Sequence, residues 1–492
     1  MAPVPVMIHG DAQMAKPEFD LVVIGGGSGG LVVAAGGASL GAKVALIEKH
    51  KLGGDCLWTG CVPSKTLIKS ARIAHEMRHA DRWALSPADP RPDLGKVMER
   101  VARVIGSIEP NDSPEHFRGL GVDVVFGTGR FVDADTFEVD GRRLTAKHFV
   151  IATGSRPALP PIAGLADVPY LTNETVFDLR EPVPHLVVIG AGPIGSEMAQ
   201  AFRRLGSEVT VVDMAPQILP REDADLARIV EQRLRAEGVR YHLGVTVGGV
   251  TTGDRAAGRI RVTVRERDGT VQQIVASHLL VAAGRQPNIE DLGLDAAQVR
   301  VDRGRIVLDD VLATTNPRIH VVGDAAGGLQ FTHFAEHQAG VVLRQTLFHL
   351  KWARPSAVVP WCTYTDPELA RVGVSETEAR KQGLAHRVYR FPFADIDRAR
   401  AEDEIEGFAK LVTDPRGKLI GAAIVGAHAG ELIAECVLAM SKGLKAADLS
   451  AAIHTYPTLA QINRRTADQR QKERLTPTSK LWIQRIFGLR GA

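Results

Sequence analysis

Two cysteines separated by four residues are the most reactive feature of the sequence. Cys56 and Cys61 lie in the segment GGDCLWTGCVPSK, residues 53–65. Such a pair could ligate a metal ion, remain as two inert thiols or form a redox-active disulfide. Zinc normally needs four ligands, and no second close Cys or His pair flanks this one. Because proline at position 63 suits a first helical turn, Cys61 should lie near a helix start, whose positive end stabilises a thiolate.

The elements that precede the cysteines predict a dinucleotide site. The segment FDLVVIGGGSGGLVVAAGGASLGAKVALIEK has the order strand, glycine loop, helix and strand. Gly25 allows the tight turn, Gly27 lets the backbone approach a pyrophosphate, and Gly30 permits close helix packing. Glu48 ends the second strand and can accept hydrogen bonds from a ribose.

The same pattern returns in PHLVVIGAGPIGSEMAQAFRRLGSEVTVVDM, with glycines at positions Gly190, Gly192 and Gly195. Two such units should bind two dinucleotides, and a flavin with a nicotinamide cofactor is the natural pairing. Asp213, at the end of the second strand, favours free ribose hydroxyls because a 2′-phosphate would meet like charge. NADH is therefore expected over NADPH, although Arg221 could still approach a phosphate.

Further strands complete the two units. The segments at 148–157 and 278–288 read as strands that close on a glycine. Asp324 follows a strand in NPRIHVVGDAAGG, where it suits the hydroxyls of a flavin's ribityl chain or a plain helix cap. Thr332 is predicted to cap the next helix, whose positive end could stabilise charge on a reduced flavin.

Composition limits the class of protein. The 492 residues suggest about three domains at roughly 150 residues each. Lys and Arg exceed Asp and Glu by only 3, so a nucleic-acid partner is not expected. Four cysteines are too few for a disulfide scaffold, and Cys362 and Cys436 are predicted core thiols. Neither a signal peptide nor a spanning helix is apparent, so the cytoplasm is the expected compartment.

The composition changes after a charged, proline-containing break at residues 351–355. The segments VVPWCTYT and HRVYRFPF read as strands, and FAKLVTDPRGKLIGAAIVGA reads as a hairpin. Helices are expected from about Gly430. These features predict a separate α+β domain that makes a dimer interface. The final segment, LTPTSKLWIQRIFGLRGA, has the pattern of a basic amphipathic helix, which could lie on an anionic membrane or pack on its own dimer.

Together these motifs resemble those of the pyridine nucleotide-disulfide oxidoreductases, the group of dihydrolipoyl dehydrogenase, glutathione reductase and mercuric reductase. The resemblance runs from about Phe19 to about Asp468. It implies an α/β fold with two Rossmann-like dinucleotide-binding domains and a C-terminal α+β dimerisation domain. The predicted boundaries are 1–17 for an N-terminal tail, 18–155 and 286–352 for the FAD domain, 156–285 for the NAD(P) domain, 353–470 for the dimerisation domain and 471–492 for an amphipathic tail.

The resemblance also implies residue roles. Cys61 would be the charge-transfer thiol beside the flavin, and Cys56 the outward thiol that meets the substrate. Lys65 and Glu197 would lie near the flavin N5 and the nicotinamide. The other implied cofactor contacts are Gly25, Gly27, Gly30, Glu48, Lys49, Gly54, Thr153, Gly154, Asp324, Thr332 and Ala335 for FAD, and Gly190, Gly192, Gly195, Asp213 and Gly284 for NAD.

The C-terminal motif departs from that of the dithiol enzymes. Those enzymes carry a His-x-His-Pro-x-x-x-Glu type motif, supplied by the partner subunit, whose second His is the acid/base catalyst. Here, in HTYPTLAQINRR, His454 matches the first His, Tyr456 takes the catalytic position and Gln461 replaces the glutamate. Tyrosine, with a reference pKa of ~10, is a poor base at neutral pH. Lipoamide or glutathione chemistry is therefore disfavoured unless His454 acts as a displaced base.

In two features the sequence is similar to mercuric reductases: the tyrosine at position 456 and the sequence GGDC around the first cysteine. A soft metal ion needs a thiolate pair more than an acid/base histidine. Mercuric reductases usually end in a vicinal Cys pair, however, and this chain ends RIFGLRGA, with no N-terminal Cys-x-x-Cys domain either. The expected activity is electron transfer from NADH through FAD and the Cys56–Cys61 disulfide to a small-molecule or metal-ion acceptor, the metal bound transiently by both thiols. The alternatives are a dihydrolipoyl dehydrogenase, a soluble transhydrogenase or quinone reductase, and a flavin redox sensor.

Overall fold

The computed structural model describes residues 16–253 and 259–491. Most of the predicted N-terminal tail lies outside these residues. The prediction that this segment is not a signal peptide concerns the same undescribed residues. Ala492 also lies outside the described residues. Within the described ranges no helix is both long and apolar enough to cross a membrane.

The chain has 23 strands within the described residues, and β3 to β8 and β10 to β18 follow one another without an α-helix between them. In chain order they are β1 Phe19–Ile24, β2 Val44–Glu48, β3 Asp123–Phe126, β4 Gly129–Phe131, β5 Thr136–Val139, β6 Arg142–Ile151, β7 Ser155–Pro157, β8 His185–Ile189, β9 Glu208–Asp213, β10 Arg240–Leu243, β11 Thr246–Thr252, β12 Ile260–Arg265, β13 Val271–Ala276, β14 His278–Val281, β15 Arg285–Pro287, β16 Val301–Asp302, β17 Arg305–Ile306, β18 Ile319–Val321, β19 Pro360–Thr363, β20 Glu368–Gly373, β21 Arg387–Pro392, β22 Phe408–Thr413 and β23 Leu419–Gly426.

The helices lie between these strands and after the last of them. They are α1 Ser28–Ser39, α2 Gly54–Trp58, α3 Cys61–Arg78, α4 Leu94–Ile108, α5 Pro114–Gly119, α6 Pro193–Arg204, α7 Ala224–Ala236, α8 Thr332–Thr346, α9 Glu376–Lys381, α10 Asp397–Ala401, α11 Ala429–Ser441, α12 Ala446–Ala451, α13 Gln461–Arg474 and α14 Pro477–Phe487.

One compact unit comprises Met1–Gly54, Pro110–Ser155 and Pro287–Pro355. Its sheet places β1 between β2 and β6, with β3 beyond β2 and β18 also beside β6, all parallel. β5 and β4 extend it in antiparallel fashion. The run LVVI in β1 is almost fully buried because a central parallel strand is covered on both faces. The first glycine loop follows the carboxyl end of β1, where open α/β sheets bind their ligands.

The second unit comprises Asp55–Glu109, Arg156–Gln286 and Ser356–Ala492. It contains a parallel sheet of order β10-β9-β8-β14 and an antiparallel sheet β11-β12-β13. A further antiparallel sheet, of order β19-β20-β23-β22-β21, is followed by helices α11 to α13. The strands and the hairpin that the sequence predicts after residue 355 are therefore confirmed.

One predicted helix cap is wrong by one residue. Helix α8 begins at Thr332, and Phe331 occupies the cap position with extended backbone angles, φ −131° and ψ 140°. A cap residue must have non-helical angles, so Thr332 is the first helical residue instead.

Candidate active site

The dithiol segment joins two helices. Cys56 lies in α2, and Cys61 is the first residue of the 18-residue helix α3, as predicted. Cys56 is half-buried and Cys61 is exposed. The Ser64 hydroxyl donates to the Cys61 carbonyl oxygen (3.2 Å) in the first turn of α3. The positive end of the helix dipole at that turn favours negative charge at the Cys61 sulfur.

The residue before Cys56 organises the loop between the thiols. The Asp55 carboxylate accepts hydrogen bonds from the Thr59 hydroxyl and from Asn173 Nδ2, the latter at 3.0 Å. Its other oxygen lies 3.0 Å from Arg285 Nη2. Asn173 Nδ2 also donates to the Thr59 carbonyl oxygen (3.3 Å). The carboxylate therefore bonds both to the loop and to two residues outside it.

Lys65 and Glu197 form an ion pair between α3 and α6. Lys65 Nζ lies 2.7 Å from Glu197 Oε2, and the Tyr364 N–H donates to Glu197 Oε1 (2.9 Å). Lys65 Nζ also lies 4.5 Å from the centroid of the Tyr364 ring. Burial lowers the pKa of Lys65, but the Glu197 carboxylate outweighs burial, so the pKa is raised. The pair keeps an ammonium charge in α3 one turn after Cys61.

The other two cysteines have environments that oppose ionisation. Burial, followed by the charge of Glu368, raises the pKa of the Cys362 thiol well above its usual value. Burial raises the pKa of Cys436 to about 12. Thiols that stay protonated are poor nucleophiles, which agrees with the predicted core role of both.

The first glycine loop has the shape that a pyrophosphate requires. Gly25 has a φ of +108°, and a Cβ there would clash with the Ala152 carbonyl oxygen. A Cβ on Gly30 would clash with the Gly25 carbonyl oxygen, so the helix packs directly on the turn. Gly27 precedes α1 and makes no side-chain cap. The first N–H groups of α1 are therefore available to a phosphate.

The acid of this unit is held by backbone donors. Glu48 Oε2 accepts from the Gly26 N–H (2.8 Å), and Oε1 accepts from the His50 N–H (2.9 Å). A carboxylate fixed in this way still has lone pairs for ribose hydroxyls. These residues fit the adenosine diphosphate part of FAD.

The second glycine loop repeats this geometry. Gly190 has a φ of +111° and lies against the Ala282 carbonyl oxygen, and Gly195 packs on Gly190. A Cβ on Gly192 would meet open space. Asp213 accepts from the Ala191 N–H (2.5 Å) and the Ala215 N–H (2.7 Å), the same two positions that hold Glu48. This loop fits a second dinucleotide.

The remaining residues that the sequence predicts for FAD make contacts within the first unit. Asp324 Oδ2 accepts from the Ser155 hydroxyl, and the Thr153 hydroxyl donates to the Asn288 carbonyl oxygen (2.6 Å). Ala335 in α8 is buried close to Gly29. The Gly154 carbonyl oxygen accepts from the Asn288 N–H, and Gly54 lies close to the Gly27 Cα. Lys49 is exposed. Gly284, in the second unit, has a φ of +120°.

The C-terminal motif offers no side chain in the position of a free base. The Tyr456 hydroxyl donates to Asp397 Oδ2 (3.2 Å), and this hydrogen bond, with the charge of Asp397, raises the pKa of Tyr456. His454 Nε2 lies 2.8 Å from Glu435 Oε1, and its Nδ1 lies 3.0 Å from the Ala452 carbonyl oxygen. Gln461 begins α13. Both ring nitrogens of His454 are thus occupied by neighbouring oxygen atoms.

Sequence reasoning missed four residues that hold the predicted ones in place. Asp55, Asn173 and Arg285 surround the dithiol loop, and Tyr364 holds Glu197. Only Asp55 carries a visible signal, since it lies next to Cys56. The other three are distant in sequence and have no motif of their own.

Comparisons with known proteins agree with this geometry. The family model described as pyridine nucleotide-disulphide oxidoreductase matches residues 19–339, and that family's dimerisation domain matches residues 359–466. The mercuric reductase of Lysinibacillus sphaericus is 33% identical over 452 residues, 92% of this chain and 82% of that protein. The dihydrolipoyl dehydrogenase of Chlamydia muridarum is 35% identical over 451 residues, 90% of this chain and 95% of that protein.

A solved structure shares the fold. The Cu(II) complex of the HOCl-induced flavoprotein disulfide reductase RclA from Escherichia coli superposes with a TM-score of 0.81 and 28% identity, over 92% of this chain and 100% of that one. The matched dimerisation domain supports a homodimer. With two dinucleotide loops, a dithiol at a helix start and these matches, the chain belongs to the FAD-dependent pyridine nucleotide-disulphide oxidoreductases.

Proposed function

We propose that this enzyme passes electrons from NADH to a soft metal ion through the Cys56–Cys61 pair. When bound, FAD supplies the chemistry that accepts a hydride and delivers two electrons to a disulfide. Gly25, Gly27 and Glu48 would hold its phosphates and adenosine ribose, and Asp324 its ribityl chain. The domain boundaries predicted from the sequence and an active site shared across a homodimer are part of this proposal.

The observation that carries the proposal is the state of the C-terminal motif. A dithiol substrate needs a base to remove its proton, and losing a positioned base typically removes ~10²–10⁴ in rate. The Tyr456 hydroxyl donates a hydrogen bond to Asp397, and the raised pKa of Tyr456 keeps the phenol neutral. His454 bonds through both nitrogens. A metal ion that is bound by two thiolates needs no such base.

The substrate ion is a soft, thiol-seeking cation. The names of similar proteins include a mercuric reductase and a reductase solved with Cu(II). Reduction of Hg(II) by NADH balances as two electrons, giving Hg(0), NAD⁺ and one proton. Two Cu(II) ions would each take one electron and leave as Cu(I). By the resemblance to the family, Cys56 would meet the ion first and Cys61 would be the second ligand.

NADH is the proposed reductant. Asp213 is held by two backbone N–H groups, so its charge stays at the ribose position. Arg221 is the cation that could have favoured NADPH. Its guanidinium lies over the Trp361 ring, 5.8 Å from the ring centroid, and is engaged in that contact instead. Rates of flavin reduction by equal concentrations of NADH and NADPH test this choice.

We also propose that α14 lies on an anionic membrane surface. Trp482, Ile483, Ile486 and Phe487 form one face at helical spacing, and their side chains are 37–71% exposed. Residues 475–491 contain no Asp or Glu, while Lys480 and Arg485 flank the apolar face. Apolar and aromatic side chains beside basic ones suit the interface of an anionic bilayer.

The experiment for the redox function is an anaerobic titration of the yellow protein with NADH. A long-wavelength thiolate–flavin band is expected, followed by reoxidation with Hg(II) or Cu(II) and slow turnover with lipoamide. A Cys56→Ser, Cys61→Ser protein should lose metal reduction. Fast lipoamide turnover would instead identify a dihydrolipoyl dehydrogenase, and retained activity in the double variant would identify a quinone reductase or transhydrogenase. Slow turnover with every acceptor would favour a redox sensor.

A further inference from the structure

Tyr364 contacts both members of the Lys65–Glu197 ion pair. It lies in the turn between β19 and β20, whereas Lys65 belongs to α3 and Glu197 to α6. Its backbone N–H donates to Glu197 Oε1 (2.9 Å), and Lys65 Nζ lies 2.7 Å from the other carboxylate oxygen. The same Nζ lies 4.5 Å from the centroid of the Tyr364 ring. One residue thus reaches the carboxylate through its backbone and the ammonium through its side chain.

The ring of Tyr364 is suited to attract an ammonium. The face of an aromatic ring carries the negative part of its quadrupole and attracts a cation within about 6 Å of the centroid. Burial, followed by the charges of Cys362 and Glu368, raises the pKa of Tyr364, so the phenol stays neutral. The side chains of Lys65 and Glu197 are 36% and 6% exposed, so water competes for the ammonium more than for the carboxylate. The ring covers part of the ammonium that the carboxylate does not.

The ring also restricts where the Lys65 ammonium can go. A lysine side chain loses much rotamer freedom when it is held in one geometry, so a single partner holds it weakly. After burial, the charged groups that act on Lys65 are Glu197 from α6, Cys61 from its own helix and Cys362 from β19. The contact with the Tyr364 ring adds to the attraction of Glu197 and favours one placement of the charged amine.

We propose that Tyr364 is a positioning residue that holds the Lys65 ammonium on Glu197 and thereby supports hydride transfer from NADH. In that step NADH loses one hydride, which carries two electrons, to the flavin and leaves as NAD⁺. An ammonium that is already in place stabilises the negative charge that arrives with the hydride, without reorganisation during the reaction. The inference deepens the proposed function, because it rests on Lys65 and Glu197 having the roles that the resemblance implies.

The first measurement follows the Lys65 amine without turnover. The FAD-containing protein is treated with a trace of acetic anhydride at a series of pH values, and the acetyl label on Lys65 is counted by peptide mass spectrometry. Only the uncharged amine reacts. Tyr364→Leu should move the labelling curve by about half a pH unit towards lower pH, which is about threefold more label at a given pH below the pKa of Lys65. Greater access alone would raise the label at every pH.

Two comparisons make the labelling specific. Tyr364→Phe keeps the ring and should change the label on Lys65 by less than about 1.5-fold. Lys69, which is exposed in the same helix, is the internal reference and should react equally in all variants.

The second measurement follows the reaction step itself. Stopped-flow absorbance gives the rate constant for flavin reduction by NADH, and its concentration dependence gives the Kd for NADH. Tyr364→Leu should lower the rate constant about threefold and leave the Kd within about twofold of the wild type, because the ring acts on the ammonium. Tyr364→Phe should retain the wild-type rate constant.

Trp83→Leu is the matched control for both measurements. The Trp83 side chain is 38% exposed, as is that of Tyr364, and its ring lies 5.2 Å from the Arg82 guanidinium. This variant removes a ring from another cation and should change neither the label on Lys65 nor the rate constant.

Three results would overturn the inference in a Tyr364→Leu protein with normal FAD content and melting temperature. They are an unchanged label on Lys65, an unchanged rate constant for flavin reduction, and effects equal to those of Tyr364→Phe, which would assign them to the hydroxyl. If Tyr364→Leu does not fold, Tyr364→Met, which also lacks a ring, takes its place in both measurements.

Failure of the two proposals is distinguishable. A wild-type protein whose flavin NADH does not reduce contradicts the proposed function itself, whatever the label on Lys65 shows. A wild-type flavin that NADH reduces at the same rate as in Tyr364→Leu contradicts only the positioning role.

Discussion

Tyr456 is the residue at which this chain departs most clearly from dithiol enzymes. Its hydroxyl donates to Asp397, and the carboxylate raises the pKa of Tyr456 by accepting that hydrogen bond. Under the proposed function, position 456 therefore supplies no proton acceptor to a dithiol substrate. Gln461, at the start of α13, cannot orient an imidazole as a carboxylate does.

Restoring the base should restore dithiol chemistry. We expect a Tyr456→His, Gln461→Glu protein to turn over dihydrolipoamide about 10²-fold faster than the wild type, because a positioned general base typically contributes that much. Reduction of Hg(II) should change little. Steady-state kcat values for both acceptors measure the effect.

Tyr456→Phe serves as the control, since it removes the hydroxyl without supplying a base. Equal gains in dihydrolipoamide turnover for Tyr456→Phe and the His/Glu protein would contradict the acid/base explanation.

At the scale of elements, a buried lysine joins α7, α9 and β22. Lys410 lies 3.0 Å from Asp223, 2.7 Å from Asp225 and 3.1 Å from Glu376, and its side chain is 2% exposed. Burial would raise the pKa of Asp223, but hydrogen bonds from Thr377 and Lys410 outweigh burial, so the pKa is lowered. The ammonium thus compensates carboxylates from two helices.

Removing this charge should destabilise the protein strongly. Lys410→Met removes the ammonium that contacts the buried Asp223 carboxylate, and we expect the free energy of unfolding to fall by about 3 kcal/mol. Denaturant titrations followed by circular dichroism measure the change. Lys418→Met, at an exposed position of the same hairpin, should change the stability by less than about 0.5 kcal/mol. Similar losses in both variants would exclude a specific role for the buried contacts.

Helix α14 allows a direct test of membrane binding. The full chain should co-sediment with vesicles of anionic phosphatidylglycerol and not with neutral phosphatidylcholine vesicles. Ile486→Glu should reduce the bound fraction about tenfold, because a charge on the apolar face cannot enter the bilayer. Gln484→Glu adds the same charge on the side of the helix opposite Ile486 and should reduce binding less.

Equal binding of the full chain and of a form that ends at Arg474 would rule out the membrane surface as the site of α14. If that shortened form also changed from dimer to monomer in light scattering, the helix would instead pack on the second copy of the chain.

At the scale of the whole molecule, buried histidines link stability to pH. His320 in β18 and His148 in β6 face each other with ring centroids 5.8 Å apart. Burial, followed by the charge of His148, lowers the pKa of His320 to about 4, and burial also lowers the pKa of His148. Asp309 and Gln345 also face His320 and partly oppose the shift.

The sign of the pH effect follows from the lowered pKa. Between pH 6.5 and about 4 the unfolded chain binds a proton at position 320 and the folded chain does not, so stability falls as the pH falls. We expect His320 to account for a loss of about 2 kcal/mol between pH 7 and pH 5. Urea titrations at these pH values should show a smaller loss in His320→Phe than in the wild type. An identical loss in both proteins would mean that other groups control acid stability.

The sequence by itself determined the features that depend on local backbone geometry. Gly25 and Gly190 adopt positive φ values against a neighbouring strand, so their loops can be recognised from spacing alone. The start of α3 at Cys61 was likewise predictable, because proline and helix preferences act within one turn. The α/β fold and the α+β domain follow from such local patterns in order along the chain.

Only the tertiary structure decided which distant residues surround those features. Asn173 reaches Asp55 across 118 positions of sequence, and no local pattern encodes that meeting. Helix α8 is capped by Phe331 and not by Thr332, because the backbone remains extended up to Phe331. The exact start of a helix therefore also depends on the tertiary structure. The hydrogen bond from Tyr456 to Asp397 could also be identified only in the folded structure, because packing determines which partner a side chain meets. Local sequence thus specifies where the thiols and glycines lie, and long-range contacts specify how they are held.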